Sequence, residues 1–447
     1  MKRLFFLSLC LLTIMSCSNG SGQLRCNYSS TDISTADDEQ VILAGFAARK
    51  ELSTGIHLPL RSHCLVITDG DEKVCIISSD LMEISMELAD EMRDSISARS
   101  GLAREKILMH CIHSHSAPRM GGASTKPGSS NYTYKNRTVA SIVDNAVRTI
   151  CEEEAFKPFT LETAECQTGI NTNRCEEGGP RDGTVYAFRV KDADGKPVCA
   201  AINIACHPVC MGYKSLLLSS DYSGVARKAI EEEWGCEVFQ LTGAAGNMDP
   251  KGGCQMADHA EEIGAELAAD LKGMEFKPVK GKAILKFATG QAELPYMIDA
   301  VTPEAVKSHA DSLVLASTNF PRFADDVRRW EADILERFEE GGVENTLHFS
   351  MAALNIDGIT FFFTQGEPFC EFQMKARETS RSNMIFFAGY TNGQNAYLPS
   401  AHAFEYRKGY EYELEQMHVY IGSPYPLSSR MPAIFQEAVD NTIKEVL

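Results

Sequence analysis

Basic residues are scarce in this sequence relative to acidic ones. Among its 447 residues, 43 lysines and arginines stand against 61 aspartates and glutamates, which gives a formal net charge of −18. A nucleic-acid-binding protein needs a basic face for the phosphate backbone, so the balance argues against a nucleic-acid partner. It also argues against adsorption of the protein surface onto an anionic membrane.

Two zinc-binding motifs are missing. No CxxC pair occurs among the 15 cysteines, so we expect no cysteine zinc cluster. HExxH is also absent, which excludes a metalloprotease of the zincin type. The cysteines are scattered and many lie in apolar runs, so we expect mostly small buried side chains and leave disulfide pairing open.

The chain begins with a targeting pattern. Lys2 and Arg3 precede the apolar run "LFFLSLCLLTIM", which predicts a signal peptide over residues 1–16 and is too short for a spanning helix. The cysteine that follows resembles a bacterial lipobox. We therefore expect a lipid anchor at Cys17, a flexible tether over 17–40, and a location on the periplasmic or outer face of a bacterial cell envelope. The alternative is an ordinary signal peptide with an incidental cysteine.

Strand and helix patterns alternate over residues 41–447, which we treat as one domain. "CLVIT" and "KVCIISS" flank the turn "DGDE" and predict a hairpin, and residues 302–341 are mostly helical in pattern. The apolar stretches "GITFFFTQGEP" and "NMIFFAGYTNG" predict strands buried on both faces. Residues 119–137 read as a long binding loop or lid. The predicted class is α/β, with a mixed sheet or sheets covered by helices.

Three histidines fall within "MHCIHSHSAP", residues 109–118. Side chains alternate faces along a strand, so His113 and His115 share one face and His110 points the other way. Two imidazoles at this spacing can both reach a metal, or one can bind while the other carries protons. The alternative is a pair of ordinary polar residues at a strand end.

Two later residues also follow apolar strands. His207 comes after the strand in "AINIACHP", and Glu367 comes after three phenylalanines in "FFFTQGEP". Active sites of α/β folds gather at strand ends, and two histidines with a carboxylate suit a zinc site that has an open position. The alternatives are a core histidine with satisfied nitrogens and an acidic residue at a helix N-terminus.

Other candidate residues lie in loops. The stretch "LTGAAGNMDP", residues 241–250, could hold an oxyanion with its backbone amides or could be a tight packing turn. Tyr397 and Tyr410 lie in an aromatic-rich loop after a buried strand. Arg174 in "NTNRCEE" is either a site residue or part of a surface ion pair.

Six short motifs, in order, resemble the N-terminal catalytic domain of the neutral, non-lysosomal ceramidases. The family's "THTHSGPGG" is similar to "IHSHSAPRMGG", its "NRS" to "NRC", and its "ATHG" to "ACHPVCMG". Its "SNAGDVSPN" is similar to "GAAGNMDPK", its "PGE" to "QGEP", and its "YVTTxEEY…YEG" to "YLPSAHAFEYRKGYE".

The resemblance implies a fold and a set of site residues. The fold would be two packed mixed β-sheets flanked by helices, a four-layer αββα sandwich. Zn²⁺ would be the cofactor, and the neighbouring residues would move protons, stabilise charge and contact substrate. Zinc would be held by His113, His207, Glu367 and Tyr397; His115, Arg174 and Tyr410 would be catalytic; Asn247 and Asp249 would bind substrate.

The implied reaction is hydrolysis of an N-acyl amide, in ceramide or a related lipid, by a zinc-activated water. Asp249 replaces a serine of the family motif and adds a negative charge. The chain also ends near the close of the catalytic domain, so we expect no counterpart of the family's C-terminal immunoglobulin-like domain. These departures leave two alternatives open: a zinc hydrolase that removes an acyl, ester or amide group from a carbohydrate, and a non-catalytic nutrient-binding lipoprotein.

Overall fold

A computed structural model describes residues 23–317, 321–382, 384–394 and 396–447. The predicted signal peptide and the anchor at Cys17 lie outside the described residues. The tether predicted over 17–40 is wrong at Arg25–Asp32, because these residues form a strand between two others. The strand's small polar side chains are used inside the fold, as when Asn27 donates a hydrogen bond to the carbonyl of Thr149.

The described residues contain nineteen strands, eight or fewer residues long in most cases. In chain order they are β1 (Arg25–Asp32), β2 (Gly55–Ile56), β3 (Arg61–Thr68), β4 (Lys73–Ser79), β5 (Ile107–Cys111), β6 (Lys157–Gln167), β7 (Asn171–Asn173), β8 (Thr184–Asp192), β9 (Pro197–Ile204), β10 (Leu217–Leu218), β11 (Glu237–Thr242), β12 (Met248–Pro250), β13 (Lys277–Pro278), β14 (Leu285–Pro295), β15 (Thr346–Ile356), β16 (Ile359–Thr364), β17 (Glu367–Pro368), β18 (Met384–Ala388) and β19 (Tyr397–Leu398).

Ten α-helices lie within the same described ranges. They are α1 (Met86–Ser100), α2 (Tyr132–Cys151), α3 (Asp221–Trp234), α4 (Ala257–Lys272), α5 (Pro303–Ala316), α6 (Pro321–Glu339), α7 (Cys370–Thr379), α8 (Ala401–Tyr406), α9 (Met417–Ile421) and α10 (Met431–Val446). None of the described helices is both long enough and apolar enough to cross a membrane.

Most of the strands form two mixed sheets. The larger has the order β11-β9-β8-β6-β1-β3-β4-β5, with β13 pairing to β6, and the smaller has the order β14-β15-β16-β18. Parallel pairs occur at β9–β11, β4–β5 and β16–β18, and the remaining pairs in these two sheets are antiparallel. The predicted hairpin around "DGDE" is the β3–β4 pair.

Aromatic side chains fill the space between the two sheets. Phe188 and Phe239 from the larger sheet meet Phe361 and Phe386 from the smaller one, and the last two rings stack 4.8 Å apart. This explains why β16 and β18 are apolar on both faces: one face meets the larger sheet and the other meets helices. The prediction of apolar strands buried on both faces is confirmed.

Helices cover the outer faces of both sheets. Helices α1 and α2 pack on one half of the larger sheet, α3 and α4 on the other half, and α7 and α10 on the smaller sheet. The layers therefore run helix, sheet, sheet, helix, and the predicted αββα sandwich is confirmed. The helical prediction for 302–341 also holds for the described residues, because α5 and α6 lie there. Thr302 caps α5 by accepting a hydrogen bond from the backbone N–H of Ala305.

Two sequence expectations about the first histidine segment need correction. Strand β5 ends at Cys111, so His113 and His115 follow the strand, and His113 has a left-handed backbone with φ of 71°. The long loop predicted over 119–137 is shorter, because α2 begins at Tyr132. Alternation places His110 correctly, since it points away from the other two histidines and bonds to Thr242.

Candidate metal centre

The candidate site lies where three strands end. His113 and His115 follow β5, His207 follows β9, and Glu367 comes three residues after β16. The backbone draws these ends together: the N–H of His113 donates to Leu81 and that of His207 donates to Met248. The convergence at strand ends is what the sequence predicts.

The three histidines after β5 and β9 form one group. Ligand atoms of His113, His115 and His207 all lie within 4.8 Å of one another. The Nδ1 atom of His113 is 3.0 Å from the carbonyl oxygen of Met82, and that of His207 is 3.3 Å from the carbonyl oxygen of Met248. A carbonyl only accepts, so the 3.0 Å contact places the proton of His113 on Nδ1 and leaves its Nε2 atom for the site, and the longer contact at His207 is compatible with the same tautomer.

Glu367 completes the group with a buried carboxylate. Its Oε2 atom lies 2.8 Å from Nε2 of His207 and 3.3 Å from Nε2 of His113. In neutral imidazoles with protonated Nδ1, these Nε2 atoms are acceptors, as is the carboxylate oxygen. Acceptors in such close, buried contact need a cation among them, either an added proton or a metal ion.

The electrostatics of the group reflect this concentration of acceptors. Burial raises the pKa of Glu367, but His113 and His207 outweigh it and hold that pKa well below its usual range. Burial lowers the pKa of His113, and Glu367 and Glu83 overcome this, so the net direction is upward. A carboxylate is therefore kept ionised in a buried place, where it is ready to meet a cation.

His115 differs from the other two histidines. Its Nε2 atom faces His113 Nε2 at 3.2 Å, while its Nδ1 atom has no hydrogen-bond partner among the described residues. Burial, then the neighbouring His113 and His207, lower its pKa well below the usual value, so the ring is neutral. A neutral imidazole at this position can take up a proton and release it again.

Arg174 lies at the side of the group, held by acidic residues. Its guanidinium donates to Glu413 at 2.9 Å, lies 3.6 Å from Oδ1 of Asp249, and covers the ring of Tyr397 at 5.3 Å. Asp249 Oδ1 is also 3.6 Å from Nδ1 of His207. Arg174 is thus part of the site and not of a surface ion pair.

Tyr397 is brought to the site by a short pairing of strands. Strands β17 and β19 are parallel neighbours in which Tyr397 is the partner of Glu367. Burial, then the charge of Glu367, raise the pKa of the Tyr397 hydroxyl well above its usual value. The predicted ligand is therefore beside Glu367, in the same buried region.

The structure does not bring two other predicted residues to the histidines. The Tyr410 hydroxyl contacts Asn173 and Glu176, each at 3.2 Å. Asn247 uses both ends of its amide to hold the start of α7, since it accepts from the N–H of Cys370 and donates to Glu371. Both side chains are buried and already hydrogen-bonded to other residues, so their predicted roles in catalysis and substrate binding lose support.

Sequence reasoning missed two residues of the site. Tyr390 stacks on His113 with ring centroids 4.4 Å apart. Glu83 acts electrostatically on His113, and burial raises its own pKa to about 7. Tyr390 comes two residues after β18, so the rule that selected His207 and Glu367 would also have found it. No comparable signal marks Glu83, which lies four residues beyond β4.

The donor set fits a zinc ion. Imidazole nitrogens and a carboxylate oxygen, as in His113, His207 and Glu367, are ligand types that zinc takes in catalytic sites. Backbone carbonyl oxygens lie beside Nδ1 of His113 and of His207, an arrangement typical of metal-ligating histidines. The Nε2 atom of His207 and Oε2 of Glu367 lie 2.8 Å apart, so one cation can contact both, and the residues suit the implied cofactor.

Comparison with known proteins agrees with the motif resemblance. Residues 28–243 match the family model for neutral/alkaline non-lysosomal ceramidase, N-terminal. Neutral ceramidase B of Dictyostelium discoideum is 24% identical over 236 residues, which cover 48% of this chain and 33% of that protein. The match thus spans only about a third of the curated relative's length.

Solved structures show the same fold. The neutral ceramidase from Pseudomonas aeruginosa superposes with a TM-score of 0.67 and 17% identity over 95% of this chain and 74% of that chain. A structure described as ceramidase complexed with C2 also gives 0.67, with 16% identity over 95% of this chain and 75% of that chain. The sequence match over residues 28–243 and this shared fold both agree with the resemblance to the neutral/alkaline non-lysosomal ceramidases.

Proposed function

We propose that this protein is a zinc-dependent hydrolase that cleaves the amide bond of an N-acyl lipid, ceramide or a close relative. Water adds to the acyl carbon, the C–N bond breaks, and a carboxylate and an amine leave. The observation that carries the proposal is the buried group of ligand atoms in which Oε2 of Glu367 lies 2.8 Å from His207 Nε2 and 3.3 Å from His113 Nε2, since these are donor types that zinc takes. Relatives described as ceramidases support an N-acyl lipid as the substrate.

Four residues would hold the metal, as the family resemblance implies: His113, His207, Glu367 and Tyr397. The first three are in mutual contact, and Tyr397 is the strand partner of Glu367. A zinc ion bound there would polarise the acyl carbonyl and lower the pKa of a water molecule toward neutrality.

Other side chains of the site would transfer the proton and stabilise the negative charge. His115 presents Nε2 to the group, and that nitrogen would hold the proton that passes from water to the leaving amine. Arg174 would stabilise negative charge on the acyl oxygen, since Glu413 and Asp249 keep its guanidinium in place beside Tyr397.

The test is hydrolysis of a fluorescent short-chain ceramide by the purified protein. Turnover should stop when a chelator removes the metal and return when zinc is added. Glu367→Gln keeps the shape of the side chain but removes its charge, so it should bind zinc weakly and turn over slowly. The proposal fails if no N-acyl amide is cleaved, or if complete metal removal leaves turnover unchanged; the first result would favour a binding protein.

A second candidate, supported by Asp249, is cleavage of an acyl, ester or amide group from a carbohydrate. Its Oδ1 atom lies 3.6 Å from both His207 and Arg174 and has no hydrogen-bond partner among the described residues. A carboxylate at this point suits hydroxyl or ammonium groups of a polar substrate. Release of acyl groups from acylated sugars, in the absence of ceramide turnover, would favour this candidate.

We also propose that the protein is a lipoprotein of the bacterial cell envelope, anchored through Cys17. The support is the lipobox-like order of basic residues, apolar run and cysteine in residues 1–17. Mass spectrometry of the mature N-terminus should find an acylated Cys17, and Cys17→Ala should release the protein from membranes. An unmodified N-terminus at another residue would overturn the anchor.

A further inference from the structure

Tyr390 has a backbone conformation that few side chains adopt. Its φ is 53°, in the left-handed region that disfavours residues with a Cβ atom. Two hydrogen bonds impose this conformation: its N–H donates to Gly366 at 2.9 Å, and its carbonyl accepts from Cys111 at 3.1 Å. Such strain persists where the surrounding structure fixes it, and it is common at functional sites.

The strained backbone places the phenol ring inside the histidine group. The ring stacks on His113 with centroids 4.4 Å apart and meets the edge of His207 at 6.0 Å. A phenylalanine would make both ring contacts equally well. The ring contacts therefore explain an aromatic side chain at this position but not its hydroxyl.

The hydroxyl is buried and unused. Tyr390 is 3% exposed, and its hydroxyl has no hydrogen-bond partner in the described part of the chain. Leaving a buried hydroxyl unpaired is unfavourable, so each such group calls for an explanation. The ionisable groups that act on this hydroxyl are Glu367, Tyr397, Arg174 and Asp249, so it faces the same space as the other site residues.

We propose that Tyr390 is a further catalytic residue, whose hydroxyl donates a hydrogen bond to the acyl oxygen of the substrate and to the carboxylate of the product. This rests on the proposed function, because it assigns a contact within the same site. Amide cleavage places negative charge on the acyl oxygen, and a fixed donor stabilises it. Arg174, which is shared with Glu413 and Asp249, would act on the same charge, and the Tyr390 hydroxyl adds a donor that is uncommitted among the described residues.

The first test is binding of octanoate, which mimics the acid product, to the zinc-loaded protein by calorimetry. Tyr390→Phe keeps the ring on His113 and removes only the donor. It should keep its zinc and bind octanoate about ten- to a hundredfold more weakly, as expected for losing a hydrogen bond to a charged group. Octanoate binding that is equal in both proteins, or absent from the wild type, would overturn the proposal.

The second test is turnover of an N-acyl amide. Tyr390→Phe should lower kcat by about a hundredfold, with KM nearly unchanged, because the donor acts mainly on charge that develops in the transition state. Equal kcat in both proteins would reject this role for Tyr390 and leave the proposed function standing. If octanoate binding depends on Tyr390 but no N-acyl amide is cleaved, the proposed function fails and the acyl-oxygen contact remains.

A matched control separates loss of the donor from loss of a buried hydroxyl in general. Tyr134 is another buried tyrosine, and its hydroxyl donates to the carbonyl of Ile33 at 2.8 Å. Tyr134→Phe should be less stable than the wild type but should bind octanoate and turn over substrate normally. If it weakens octanoate binding as much as Tyr390→Phe does, the effect is one of stability and the proposal for Tyr390 is rejected.

Discussion

The Nε2 atom of His207 lies 2.8 Å from Oε2 of Glu367, although the two residues are 160 positions apart in the chain. One follows a strand of the larger sheet and the other follows a strand of the smaller sheet. The packing of the two sheets therefore creates the site, because neither sheet alone holds both residues.

A substitution at Gly45 tests how precisely the His115 side chain must be positioned. A Cβ atom at Gly45 would lie 2.4 Å from Cγ and Nδ1 of His115. Gly45→Ala should therefore displace the imidazole and lower kcat/KM by about a hundredfold or more. Gly70→Ala is the control: Gly70 also has positive φ, but nothing lies within 4 Å of the added atom. Equal activity in the two variants would show that His115 needs no such placement.

Arg49 is predicted to stabilise the fold around the site. Its buried guanidinium donates to the carbonyls of Ala44, His115 and Gly212 at 2.7–3.0 Å. Arg49→Ala leaves these buried acceptors without partners, so the free energy of unfolding should fall by about 3 kcal/mol or more in urea titrations. Arg329→Ala, at an exposed ion pair with Asp326, should change it by less than about 0.5 kcal/mol. Similar losses in both variants would contradict this role.

His110 should give the protein a stability that depends on pH. Burial lowers its pKa from 6.5 to about 3. Below pH 6.5 the unfolded chain protonates this residue and the folded chain does not, so stability present above 6.5 is lost as the pH falls toward 3. The slope from this group is at most about 1.4 kcal/mol per pH unit.

Urea titrations between pH 7 and pH 4 check the contribution of His110. His110→Gln can still donate to Gly389 and accept from Thr242, as the histidine does, but it does not titrate. Its stability should vary less with pH than that of the wild type. An unchanged slope in the His110 variant would contradict the assignment.

Asp249 should influence the choice of substrate. Its carboxylate lies 3.6 Å from both His207 and Arg174, so it adds negative charge next to the site. Asp249→Ser should lower kcat/KM for N-acyl amides with a cationic amine half by about tenfold relative to those with a neutral one. Asp194→Ser, on an exposed turn, should leave this ratio unchanged. A ratio that stays constant in both variants would remove Asp249 from substrate selection.

Site residues that follow apolar strands could be predicted from the sequence. The positions of His113, His207 and Glu367 could be anticipated because active sites of α/β folds gather at strand ends and because short motifs surround these residues. The left-handed backbone of His113 could not, since non-glycine residues rarely adopt it.

Contacts between loops that are far apart in the sequence could not be predicted. Arg49 looks like a surface arginine in the sequence, yet it is buried among three backbone carbonyls of separate loops. Tyr410 was selected by its motif, but the hydroxyl turned out to be held by Asn173 and Glu176. The strand Arg25–Asp32 was missed because its polar residues resemble a linker unless their partners are known.

The zinc content of three purified proteins tests the central claim most directly. Wild type and His115→Ala should each contain about one zinc per chain, and His113→Ala should contain little, because His113 is a proposed ligand and His115 a proton carrier. His115→Ala should nevertheless lose about a hundredfold or more in kcat. Full zinc content in His113→Ala would contradict the account of the metal centre.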